Sequence, residues 1–185
     1  MARMKQSESI RREAAALRVS AGRLDALADM LDGVVSLSVA EVEAATEPPW
    51  MTIARAEVGV HEIAGAEDNA RIVEYHKATT LKASDDETPW CASFVCWCLA
   101  QAGIENPRSA ASKAFRTWGV QVQEPQVGDV VVFDHGGGKG HVGFFVGGEG
   151  TSLRILGGNQ GDAVKVATFT RKRLHSFRRP PVKTR

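Results

Sequence analysis

Helix signals lead this chain of 185 residues and strand signals close it. That order predicts an α+β fold in which helices pack on one face of an antiparallel sheet. Between residues 50 and 119 the sequence reads as helices punctuated by Gly and Pro. From Gly128 the apolar period drops to two and the turns become Gly-rich. A hydrophobic fraction of 43%, with 24% charged residues, is that of a globular chain and excludes low-complexity disorder. At this length the core buries about 70% of the unfolded chain's surface, so no disulfide or metal staple is required.

The elements follow in order. Residues 50–58 read as a helix stopped by Gly59, and Asp68 is placed to cap a helix running to about Lys77. Thr88-Pro89 reads as an N-cap followed by proline at the first helical position. The apolar helix after it runs to about Ala102, with Gly103 as its stop. Ser109 opens another helix that ends at Gly119. Strands are expected at 129–133, 142–146, 153–156, 164–168 and 174–178, with Gly-rich turns at 136–138, 147–150 and 157–161.

Residues 1–47 are organised differently. Ile10, Leu17, Leu24 and Leu31 recur every seven, and Ala14, Ala21, Ala28 and Val35 follow each by four. This a/d seam fits a coiled coil or docking helix, with self-association through residues 10–35, and equally a helix packed on its own domain. Ser38-Val39-Ala40-Glu41 is a capping box for a short second helix. Pro48-Pro49 breaks the helix. The expected layout is a helical arm over 1–47, one domain over 48–180 and a basic tail over 181–185.

Charge narrows the function classes. Lys and Arg number 23 against 22 Asp and Glu, a net charge of +1, which argues against a dedicated nucleic-acid binder. Residues 171–185 nevertheless hold seven Lys/Arg and no acid, a stretch able to touch an anionic polymer or simply to stay solvated. The longest uncharged run, Thr88 to Ile104, is 17 residues, short for a membrane span. No secretory apolar region is apparent, so synthesis in the cytoplasm without a signal peptide is expected.

Three cysteines, Cys91, Cys96 and Cys98, fall within eight residues, which is no disulfide framework. Cys91 sits near the start of its helix, where free backbone N–H groups and the helix dipole favour a thiolate. That suits a nucleophile, although a buried inert thiol is the competing reading. Cys96 and Cys98 fit a core role. Among five histidines, His141 opens a strand after a Gly-rich loop and is the best-placed base, with His135 second. Asn159, in Gly157-Gly158-Asn159-Gln160, lies at the strand end that returns toward His141 in an antiparallel pairing and is the candidate orienter, or else an ordinary turn asparagine.

These segments carry a resemblance. Pro89-Trp90-Cys91-Ala92-Ser93-Phe94-Val95 looks like the nucleophile motif of papain-like cell-wall hydrolases. Gly128-Asp129-Val130-Val131-Val132-Phe133 with Gly140-His141-Val142-Gly143-Phe144 resembles their second motif, and Gly157-Gly158-Asn159-Gln160 their third. Together they resemble the CHAP type (cysteine, histidine-dependent amidohydrolase/peptidase) of the NlpC-like group, over about residues 49–180.

The resemblance implies a papain-like CHAP/NlpC-type fold and a phage endolysin-like peptidoglycan hydrolase, amidase or endopeptidase, that acts on the cell wall after release. It implies Cys91 as nucleophile, His141 as general base and Asn159 as orienter, a position where relatives often carry Glu, Asp or His. Trp90, Tyr75 and Gln160 are candidates for substrate or oxyanion contacts. The alternative is a non-catalytic muropeptide-binding or adaptor module on the same fold. No cofactor is expected, and no C-x-x-C pair or H-E-x-x-H pattern points to zinc. Asp85 and Asp86 are candidate calcium ligands, with a solvated acidic loop as the alternative.

Overall fold

The structure, a computed structural model, describes residues 47–181. The Ala/Leu seam, the self-association surface expected over residues 10–35 and the tail beyond Pro181 lie outside the described residues.

Three helices precede the sheet. Helix α1 (Pro49–Ala56) follows Pro48 and buries Met51 and Ala54. Helix α2 (Ala70–Lys77) is capped by Asn69, whose side chain accepts the Arg71 N–H at 2.9 Å. The expected cap, Asp68, instead accepts the Asp86 N–H at 3.1 Å. Helix α3 (Cys91–Gln101) is buried from Cys91 through Leu99. A helix apolar on every side belongs inside the core, and each buried Phe, Val or Leu there stabilises by about 1.5–3 kcal/mol.

Two boundaries differ from expectation. The residue flanking α3 is Trp90, so Cys91 is its first helical residue and Thr88-Pro89 lie ahead of it. The cause is local: Asp85 Oδ1 accepts the Thr88 N–H at 2.7 Å and keeps the chain turning. Over 109–119 only a short 3-10 turn forms, Ser112–Arg116, which buries Phe115. The Ser109 hydroxyl accepts the Ala111 N–H at 3.2 Å, a bond that competes with a helix start.

The six strands are β1 (Val120–Val122), β2 (Val130–Gly136), β3 (Lys139–Glu149), β4 (Ser152–Gly157), β5 (Lys165–Thr170) and β6 (Leu174–Arg179). The sheet order is β1-β6-β2-β3-β4-β5, with every pairing antiparallel. Strands β2 to β5 form a meander, and β6 returns to the free edge of β2. Arg179 fastens that return by a bidentate pair to Asp129, at 3.0 and 2.8 Å. Strand β1, too short to show a periodic pattern, is an addition to the expected set.

The period of two sorts the sheet residues. Val130, Val132, Val142, Phe144 and Leu156 join the helices in the main core. Val131, Phe133, Phe145, Ile155 and Phe177 build a second cluster, as alternation along neighbouring strands requires. The α+β class read from the sequence is the one observed. Among the described residues no helix is long and apolar enough to cross a membrane.

Candidate active site

Helix α3 and strand β3 bring the candidate residues together at one end of the sheet. At the first position of α3, the Cys91 thiol lies against the backbone N–H groups of Val142, Ala92 and Cys91 itself. Burial pushes the thiol pKa up, and these three amides pull against it. Val142 directly follows His141, so the thiol is seated on the strand that carries the candidate base. Cys91 also lines a cavity of about 520 Å³, with Lys113, His135, Lys139 and Ala111 around it. Cys96 and Cys98 are fully buried in α3, and burial raises both thiols.

His141 is held on two sides. Its ring stacks on Phe169 of β5, with centroids 5.1 Å apart and planes 14° off parallel, and Phe169 stacks in turn on Phe133. Burial drives its pKa down to about 4, the Gln160 side chain opposes that shift, and His135 adds to it. His141 is therefore a neutral imidazole at neutral pH. Among the described residues its Nε2 is buried without a hydrogen-bond partner, and no hydrogen bond joins the ring to the thiol. Such contacts commonly tighten only when substrate is bound.

In the turn after β4, Gln160 is the residue that acts on this imidazole. Asn159 stands at φ 54°, a left-handed position, and its amide donates to Glu62 Oε1 at 3.2 Å. Gln160 faces inward. Its Nε2 donates to the carbonyls of Ile155 (3.2 Å), Gly157 (3.1 Å) and Lys165. With the donor end committed, Oε1 is left buried without a hydrogen-bond partner, an acceptor of the polarity that an N–H on His141 requires. The turn is pressed against α3. A Cβ on Gly158 would come within 2.3 Å of Trp90 Cζ3 and 2.8 Å of Phe94 Cβ.

The three candidates for substrate or oxyanion contact have other partners. Trp90 is fully buried, and its Nε1 donates to Glu62 Oε1 at 2.7 Å. Tyr75 is also fully buried. Its hydroxyl donates to Glu57 at 2.6 Å, and its ring packs on Trp90, Phe94 and Trp97. Glu57 is in turn held by Arg71, which lowers its pKa. Gln160 has its donor nitrogen occupied, so it has none to offer an oxyanion. Two contributors escaped the sequence reading. Glu62 joins Trp90 to Asn159, and His76 Nδ1 lies 2.9 Å from Ser93 Oγ beneath the start of α3. Neither contact leaves a local sequence signal.

His135, the second candidate base, lines the Cys91 cavity but accepts Arg173 Nη1 on its Nδ1 at 3.1 Å. Asp68, Asp86 and Glu87 place one carboxylate oxygen each within 4.8 Å of the others. Asp86 is fully buried; its Oδ2 accepts the N–H groups of Ile63 and Asn69, while Oδ1 has no partner. This oxygen-only set fits a hard cation such as Ca²⁺. Asp85 is outside it, occupied with Thr88, so the expected Asp85–Asp86 pair gives way to Asp68, Asp86 and Glu87.

Comparison with known proteins turns on the same segments. The family model "CHAP domain" matches residues 83–159, which contain Cys91, His141 and the start of the 157–161 turn. Over 57 residues it is 42% identical to the "Probable endopeptidase p60" of Listeria seeligeri, covering 31% of this chain and 11% of that protein. The protein of the same name from Listeria monocytogenes is 35% identical over 57 residues, 31% of this chain and 12% of that one. The chain thus spans about a tenth of the length of these curated relatives. Among solved structures it is similar to an NlpC/P60 family protein from Bacillus cereus, with 20% identity, TM-score 0.43, and coverage of 71% of this chain and 39% of that one.

Proposed function

We propose that the CHAP domain hydrolyses a peptide amide of bacterial peptidoglycan by thiol catalysis. In this reading Cys91 is the nucleophile, His141 the general base, and Gln160 rather than Asn159 the residue that orients the imidazole. The observation that carries it is the seat of the Cys91 thiol, at the first turn of α3 against the Val142 N–H and beside a cavity. The name of the Listeria relatives supports an endopeptidase over an amidase acting at the sugar–peptide link.

The chemistry follows from the charges. Neutral His141 takes the thiol proton as Cys91 Sγ attacks the amide carbonyl, so the two charges form together in a buried site. Backbone N–H groups at the start of α3 receive the developing oxyanion. The imidazolium then gives its proton to the leaving amine. Water, deprotonated by His141, releases the thioester and restores the thiol. His135 is the poorer base because its Nδ1 is occupied by Arg173. Action at the cell wall, of endolysin type, belongs to the same proposal.

The test is clearing of purified peptidoglycan by the full chain beside Cys91→Ala and His141→Ala, with mass spectrometry of released fragments. The proposal expects fragments from the unaltered chain alone. Equal release by Cys91→Ala, or no release by a folded unaltered chain, overturns it.

A further inference from the structure

The cavity that holds Cys91 is charged on one side only. Lys113, from the 3-10 turn, and Lys139, at the first residue of β3, both line it, and no acidic side chain does. Neighbouring cations are engaged: Arg116 pairs with Asp134 at 2.7 Å, and Arg173 is on His135. Among the described residues, Lys113 and Lys139 form neither an ion pair nor a side-chain hydrogen bond. A second cavity of about 590 Å³ continues from the first through Pro89, Ala110 and Ala111. Its remaining wall, including Thr80, Leu81, Thr88 and Ser109, carries no charge.

We propose that Lys113 and Lys139 bind a carboxylate of the substrate on one side of the scissile amide, making this enzyme selective for peptides with a free carboxyl there. The inference rests on the hydrolase reading and adds a specificity to it. Two ammonium groups lining a concave site with no acidic side chain form a positive field there. The adjoining uncharged cavity accepts a neutral stretch of the same chain. The polarity of the two cavities therefore fixes which way a peptide with one charged flank lies over Cys91. Lysine suits this task, as a flexible point charge that meets a carboxylate without a fixed fork geometry.

Binding tests this apart from turnover. Cys91→Ala in the full chain is titrated by calorimetry with two muropeptides, one with free carboxyl groups and one with the same carboxyls amidated. The inference expects the free-carboxyl form to bind roughly 3- to 10-fold more tightly, with the preference shrinking as salt is raised. Lys113→Gln with Lys139→Gln, added to Cys91→Ala, abolishes the preference at an unchanged melting temperature. Lys113→Glu reverses its sign. Equal affinity for both forms, or a preference that survives the double substitution, overturns the inference. Should unaltered chain cleave neither muropeptide while the preference persists, the hydrolase reading fails and the carboxylate site stands.

Discussion

Trp90 and Glu62 are joined by a 2.7 Å hydrogen bond from the indole Nε1 to Oε1, and the same oxygen accepts the Asn159 amide at 3.2 Å. One carboxylate thus fastens the residue ahead of the proposed nucleophile to the turn that orients the proposed base. Glu62→Ala leaves a buried indole N–H unpaired, at a cost of about 1–3 kcal/mol. Glu62→Gln keeps an acceptor and is expected to lose less than half of that. Urea unfolding of the two variants measures the difference, and equal destabilisation would argue that the bond is unimportant.

Gly158 makes a second prediction through space rather than through a bond. Its missing Cβ is what allows the turn to lie on Trp90 and Phe94. Gly158→Ala forces one of these surfaces to move and should cost about 1–3 kcal/mol. Activity should fall more than stability, because the displaced turn carries Gln160 with it. A variant as stable and as active as the unaltered chain would show that the contact is soft.

Gln160 offers a sharper handle on the proposed mechanism. Gln160→Ala frees the His141 ring to misorient, an error worth roughly 10²-fold in rate. The loss should appear in kcat with little change in KM, since the amide is buried away from the cavity lining. Asn159→Ala, which removes only a bond to Glu62, should cost far less. If Asn159→Ala proves the more damaging of the two, the assignment of the orienting residue reverses.

The depressed pKa of His141 gives a pH dependence with a definite sign. In the unfolded chain the imidazole titrates near 6.5, and in the folded one near 4. Between these values the unfolded state binds more protons, so stability is fully present above pH 6.5 and is lost as pH falls toward 4. The shift corresponds to roughly 3 kcal/mol. Burial of His76 lowers its pKa too and adds in the same direction. His141→Asn should flatten the acid limb of a stability–pH curve. A limb of unchanged steepness would assign it to other groups.

The meeting of three segments was legible in the sequence, because each carries a local signature: a cysteine at a helix start, a histidine at a strand start and a Gly-rich turn. The phase within the turn was not. The sequence does not say which of Asn159 and Gln160 faces inward; the positive φ at Asn159 decides that, through the path of the chain between β4 and β5. Nor does the sequence alone place Trp90 and Tyr75. An aromatic side chain with a polar tip serves a core as readily as a cleft, and both tips are satisfied by carboxylates distant in sequence, Glu62 and Glu57. The start of α3 moved by two residues because a turn bond from Asp85 outcompeted the Thr88-Pro89 cap.

The Gln160 amide reaches from the end of β4 to the Lys165 carbonyl on β5, and its side chain acts on the His141 imidazole. Until that hairpin closes, nothing fixes the amide, and an imidazole without it is free to rotate away from the thiol. In the proposed mechanism the site is therefore completed by the β4–β5 hairpin rather than by the helix that bears the thiol. Under the proposed mechanism, a chain whose β4–β5 hairpin is open is inert toward amides.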